Sequence, residues 1–433
     1  MEKINEKSHQ YILLNFFEKL KIKMCSQHQL LSLRPKLNLS EESNFEDDFD
    51  FIIKDEDFQG ILNVIYELCK VSGVNFSLDQ RMPTKKLFRF FIDDLENEKI
   101  TIELWTAISF TINKSKYLFK SELIFKSINE NKITEIEALS LLYITHLFHR
   151  NKDIGSKESL FRFDFFFQNL SEEKNIRFSN PTVCEILNQV KDNGISLKEA
   201  NNKAIALLEE IGVESGTLKW NNVKNLHYRI RNKFLNLKIY TPIIGPDGVG
   251  KGSVSELALR DLNNWDFFPF RLLYKIKYLY PFRLSLIPES KTEFRYILDE
   301  KISHYIFITA FISMRFLILF KPGKKILLDR YFMDFFAIPM RGLKENEQPH
   351  KISFYKTLLF LTPVPNYAVF LGCKDTSLIS RKNELPIDAV SFLQKINCEF
   401  ISKKKLPQTL FISTENKMEV SSKVLHDYLK AIN

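Results

Sequence analysis

A chain of 433 residues is too long for one ordinary domain, and its 45% hydrophobic content, with 39 phenylalanines, is enough to build large cores. The net charge of +9 is a modest surplus that suits anionic substrates such as nucleotides and permits, without requiring, contact with nucleic acid or peripheral contact with an anionic membrane; nucleic-acid binding is not expected, because the basic stretch 219–238 has little aromatic interleaving. The five cysteines (Cys25, Cys69, Cys184, Cys373, Cys398) are scattered with no C-x-x-C pair, which argues against a disulfide framework or zinc site and fits a reducing cytoplasm; the opening M-E-K-I-N-E-K lacks the apolar core of a signal peptide.

No internal repeat or low-complexity tract is apparent, and the chain reads as three regions: 1–115, 116–235 and 236–433. In the first, residues 11–24 have helical periodicity, 49–53 predict a strand, 57–71 predict an amphipathic helix ending near Ser72-Gly73, and 87–93 and 99–105 predict further strands. D-D-F-D at 47–50 puts Asp48 and Asp50 two apart, so on a strand both carboxylates share one face. Two such acids can share Mg²⁺ ions in a two-metal site, and Glu103, in I-T-I-E-L-W at 100–105, is the candidate third acid. The alternative is an acidic turn, Glu46-Asp47-Asp48, leading into a strand.

The second region reads as mainly helical, with its clearest helices at 133–149 and 196–211 and a polar, basic connection at 215–231. His146 and His149 would share a helix face, but no third metal ligand accompanies them, so core or surface roles are the expectation.

The third region carries the most informative residues. G-P-D-G-V-G-K-G-S at 245–253 holds the G-x-x-x-x-G-K of a phosphate-binding P-loop, with Gly245, Gly250 and Lys251 at the required spacing. Glycines allow the backbone to curl so that several N–H groups face one phosphate chain, and the following helix N-terminus adds positive potential. The context is right: an apolar run at 238–244 predicts a buried strand, and 254–262 has the apolar spacing of a helix. Lys251 would reach the β- and γ-phosphates of a bound nucleotide, with Asp247, Gly248, Val249, Gly252 and Ser253 completing the cradle. The residue after Lys251 is Gly252, where a Mg²⁺-binding hydroxyl is usual; the same G-K-G-[ST] order occurs in nucleoside monophosphate kinases, where the metal is held largely through water.

Further along, K-I-L-L-D-R-Y at 325–331 sets Asp329 and Arg330 at the C-terminal end of a short apolar strand, where open α/β sheets bind ligands. Asp329 could hold Mg²⁺ through water or position the attacking oxygen, and Arg330 could bridge donor and acceptor phosphates, although an Asp–Arg pair after a strand is also an ordinary surface feature. Asp334 and Arg341 follow. After a predicted strand at 365–371 come Asp375 and then S-R-K-N-E-L at 380–385, in which Arg381 and Lys382 are placed to close over the phosphates; the alternative is a solvated charged helix face. The apolar segment 305–320 contains Arg315 and is shorter than the roughly 20 residues a spanning helix needs, so it reads as a buried helix.

Together G-P-D-G-x-G-K, D-R-Y with a later Asp and P-x-R, and R-K-x-E-L resemble the thymidylate kinase family, most of all its divergent branch from surface-polysaccharide gene clusters. The resemblance covers about 238–413. It implies an α/β kinase fold with a parallel sheet, ATP and Mg²⁺ as cofactors, catalytic roles for Lys251, Asp329, Arg330 and Arg381, donor binding by Lys382, and acceptor-side roles for Arg283, Asp334 and Arg341. It leaves the acceptor open, and a homodimer is compatible with it. Residues 31–110 resemble polymerase-β-type nucleotidyltransferases, in the subgroup where L-R (here Leu33-Arg34) precedes the D-x-D strand, which implies an α+β domain. The Gly-Ser pair that usually precedes the D-x-D is missing. Three functions follow as expectations: an ATP-dependent phosphotransferase acting on a small hydroxyl- or phosphate-bearing acceptor, a nucleotidyltransferase using Asp48 and Asp50, and a non-catalytic nucleotide-gated binding module.

Overall fold

The computed structural model describes residues 2–33, 48–82, 84–95, 99–112, 115–149, 163–166, 168–169, 181–192, 194–213, 215–217, 240–246, 248–269, 325–329, 365, 367–381, 394, 397–403 and 406–432. Helix α1 (Glu2–Gln27) buries Leu13, Phe16, Phe17, Leu20 and Met24, a stripe at helical spacing. Phe17 stacks on Phe49 with ring centroids 4.0 Å apart. Strands β1 (Leu31–Ser32) and β2 (Asp48–Ile52) precede helix α2 (Phe58–Ser72), which buries Phe58, Ile61, Leu62, Ile65 and Cys69. Gly73 ends α2 in the left-handed conformation at φ +74°, its N–H bonded to the Cys69 carbonyl at 3.1 Å.

Strands β3 (Asn75–Asp79), β4 (Lys85–Phe91) and β5 (Ile100–Trp105) follow, and β2 pairs parallel with β5 while β5, β4 and β3 pair antiparallel in turn. A separate three-stranded sheet combines β6 (Ala107–Ile112), β7 (Ser115–Lys120) and the later β8 (Ser215–Thr217). Around it lie α3 (Ser121–Asn129), α4 (Glu135–His149), α5 (Pro181–Lys191) and α6 (Leu197–Glu210), whose Leu141, Leu142, Leu187, Ala204 and Leu208 belong to a second core. Ser196 caps α6, its hydroxyl accepting the Glu199 N–H at 3.2 Å.

The C-terminal elements are β9 (Tyr240–Ile244), α7 (Lys251–Leu259), β10 (Trp265–Pro269), β11 (Lys325–Asp329), β12 (Tyr367–Gly372), α8 (Asp375–Arg381), β13 (Gln408–Ser413) and α9 (Met418–Ala431). Their strands are all parallel, in the order β13-β12-β9-β11-β10. The chain leaves the central strand β9 to one side, through β10 and β11, then crosses to β12 and β13 on the other. That reversal is a topological switch point, and it opens a crevice at the carboxyl end of β9. All five residues of β9 are buried. Pro242 gives the ladder no N–H, and β12 pairs with β9 only beyond it, at Ile243 and Ile244.

The two strand systems form one ten-stranded mixed sheet, because β3 pairs antiparallel with β13. Phe76 stacks on Phe411 across this join, centroids 5.1 Å apart, and Tyr66 of α2 meets Phe411 edge-on at 4.7 Å. One apolar core runs from α1 and α2 through to α9. Among the described residues no helix is long and apolar enough to cross a membrane; the apolar segment 305–320 lies outside them.

Candidate functional site

The loop between β9 and α7 is shaped by its glycines. A side chain on Gly245 would place its first carbon 2.6 Å from the Leu371 carbonyl oxygen of β12, a backbone atom with little room to yield. Gly248 and Gly250 sit at φ +90° and +96°, where a side chain is strained. Gly250 makes no side-chain cap to α7, so the first turn of the helix faces the loop without a capping side chain. Val249, fully buried, pins the loop to the core.

Lys251 opens α7 and is only 6% exposed. Its ammonium donates to the carbonyls of Gly245 and Pro246, the latter at 3.1 Å. The cation therefore lies folded back on the loop it belongs to. Gly252 and Ser253 are exposed, and among the described residues nothing lies within 4 Å of where a Gly252 side chain would begin. Beyond it an open hollow of about 400 Å³ is lined by Gly252, Glu256, Leu259, Arg260 and Phe267.

Asp329 ends β11, in register with Ile243 of β9, two residues before Gly245. The register thus sets a carboxylate on the strand beside the loop. Arg381 ends α8, and its guanidinium donates to the Thr414 carbonyl at 3.0 Å and the Thr414 hydroxyl at 3.4 Å. It joins the loop after β12 to the loop after β13. The Thr414 N–H and the Lys374 N–H close the same corner, on the Gly372 carbonyl (2.8 Å) and the Glu415 carboxylate (2.9 Å). Burial pushes the Cys373 thiol up, opposed by Arg381 and a hydrogen bond with Thr414. Thr414 and Glu415 carry no motif; only folding reveals their part in holding Arg381.

Gly245, Gly248, Val249, Gly250, Lys251, Gly252, Ser253 and Asp329 thus gather at the crevice, while Arg381 is held on the far side of β12. Asp247, Arg330, Lys382, Arg283, Asp334 and Arg341 lie outside the described residues.

In the N-terminal strands, the parallel register sets Asp50 beside Glu103 and Asp48 beside Thr101. Asp50 is buried and accepts from the Trp105 indole N–H at 3.3 Å. Burial raises the Glu103 carboxyl, helped by its hydrogen bond with Asp50 and opposed by the Lys85 ammonium that binds it. Lys85 also lies over the Trp105 ring, 5.0 Å from its centroid. Among the described residues no group of three or more His, Cys, Asp or Glu side chains is arranged to hold a metal ion.

No protein-family model matches the chain, and no curated protein matches it. Among solved structures, the thymidylate kinase from Candida albicans matches over 45% of this chain and 92% of its own, with 16% identity and a TM-score of 0.32. The deoxyadenosine kinase from M. mycoides with bound dCTP matches over 45% of this chain and 100% of its own, with 15% identity and a TM-score of 0.29. Both neighbours are kinases.

Proposed function

We propose that the chain is an ATP-dependent phosphotransferase that phosphorylates a small hydroxyl- or phosphate-bearing acceptor at the carboxyl end of β9. The observation that carries this is Lys251: a buried lysine opening a helix, at the switch point of a parallel sheet, behind a loop that needs glycine at 245, 248 and 250. The chain's residues fit a nucleotide with Mg²⁺. The first turn of α7 is uncapped, Gly252 leaves open space, and Asp329 offers an oxygen donor on the adjoining strand. Bound ATP with its Mg²⁺ would supply the phosphoryl group and neutralise part of its charge.

The protein's part is positioning and charge neutralisation. Lys251 would exchange its two carbonyl partners for phosphate oxygens, and the first-turn amides of α7 would hold the same chain of phosphates. Asp329 would orient the acceptor oxygen and hold the metal through water, as Gly252 offers no hydroxyl. Arg330 would bridge donor and acceptor. Arg381 and Lys382 would close over the donor, which requires Arg381 to leave Thr414. Arg283, Asp334 and Arg341 are the acceptor-side candidates. Family resemblance points to surface-polysaccharide building blocks, so an acceptor panel should hold sugar and polyol phosphates beside nucleoside monophosphates. ADP released only with a particular acceptor, and lost in Lys251→Ala, tests the proposal.

Nucleotidyl transfer at Asp48, Asp50 and Glu103 is the alternative, favoured by the adjacency of Asp50 and Glu103. The ammonium of Lys85 occupies Glu103 in this structure, which weighs against a metal there. Pyrophosphate rather than ADP would mark that chemistry. Saturable ATP binding with neither product would mark a nucleotide-gated binding module.

A further inference from the structure

Lys70 is a buried charge that the nucleotide site does not use. It projects from α2 and is 2% exposed, with its ammonium 2.8 Å from the Asp375 carboxylate, 3.2 Å from the Gln394 amide oxygen and 3.1 Å from the Glu67 carboxylate. Burying an ammonium is expensive, and it persists only where partners surround it. Asp375 is the first residue of α8, the helix that ends in Arg381.

A second tie joins the same two regions. The Asn416 amide donates to the Gly73 carbonyl at 2.9 Å, just past the end of α2. Between the ties, the Tyr66 hydroxyl comes within 3.1 Å of where a side chain on Gly372 would begin. The next residue back, Leu371, is the one whose carbonyl crowds Gly245. The C-terminal half of α2 is therefore backed onto the loops after β12 and β13, and these loops carry Arg381 on one side and abut the glycine loop on the other.

We propose that Lys70 is a positioning residue for the nucleotide site: by holding Asp375 it fixes α8, and through α8 it sets where Arg381 stands. The N-terminal region is then a working part of the phosphate site. This rests on the phosphotransferase reading, through the donor-binding role given to Arg381.

Hydrogen exchange over 374–381, together with ATP·Mg²⁺ binding by calorimetry, tests it on the full chain in Lys70→Met, Asp375→Asn and the double variant. Faster exchange over 374–381 is expected in each variant, with exchange in α7 unchanged. ATP affinity should fall by about tenfold in either single variant, with no further loss in the double, because the two residues act as one unit. Lys70→Arg, which keeps the charge, should recover part of the loss. A folded Lys70→Met protein with wild-type exchange over 374–381, or with wild-type ATP affinity, overturns the proposal. Should Lys70→Met fail to fold, Asp375→Asn carries the same two measurements. If the wild-type chain binds no ATP, the phosphotransferase reading fails; exchange over 374–381 then decides the anchor alone, and unchanged protection overturns it.

Discussion

The Asn75 side-chain oxygen accepts the backbone N–H of Ser413 across 2.8 Å, at the end of the antiparallel pairing between β3 and β13. Its amide group donates to the Ile92 carbonyl as well, so one fully buried side chain satisfies backbone groups on both sides of the join. Asn75→Ala would leave a buried N–H without a partner. The expected loss is about 1–3 kcal/mol of stability, read from the urea midpoint. An unchanged midpoint would mean that the join does not depend on this bond.

Gly245 and Gly252, at the two ends of the glycine loop, should respond in opposite ways. Gly245→Ala forces a carbon to 2.6 Å from the Leu371 carbonyl, so the loop must move. Gly252→Ala points into open space within a helix, where alanine is favoured by roughly 0.5–1 kcal/mol. Thermal melts should show Gly245→Ala destabilised and Gly252→Ala equal to or above wild type. ATP binding should be lost in Gly245→Ala.

Glu103 sets a pH dependence. Its folded-state carboxyl is raised above the ordinary 4.5, by burial first and then by the hydrogen bond with Asp50. The folded chain therefore holds a proton that the unfolded chain has already released. The stability from this group is full below 4.5 and is lost as pH rises through the raised value. Urea midpoints taken from pH 4.5 to neutrality should fall more steeply for wild type than for Glu103→Gln. Parallel profiles would assign the titration to another group.

Local pattern carried much of the fold. The apolar spacing of α2 and its glycine stop were visible, as was the strand–loop–helix order around Lys251, because each depends on neighbouring residues. Strand β3 was not: N-F-S-L-D is short and half polar, and becomes a strand only when β4 and β13 flank it. That pairing, which makes one sheet of the two systems, spans most of the chain and leaves no local trace. The contact of Lys70 with Asp375 bridges 305 positions, and the hold of Thr414 on Arg381 bridges 33. Neither side chain belongs to a motif with its partner. Glu103 is a candidate third acid in the sequence by its place in a strand alone, and the parallel register of β2 and β5 sets it beside Asp50.

Phosphoryl transfer at Lys251 is tested most directly by product analysis with ATP and Mg²⁺ against a panel of nucleoside monophosphates and sugar or polyol phosphates, with ADP and pyrophosphate quantified separately. ADP formation should depend on one class of acceptor and fall by at least about 100-fold in Lys251→Ala, the scale of losing a charge that acts in the transition state. Full turnover in a folded Lys251→Ala protein, or pyrophosphate in place of ADP, would contradict it.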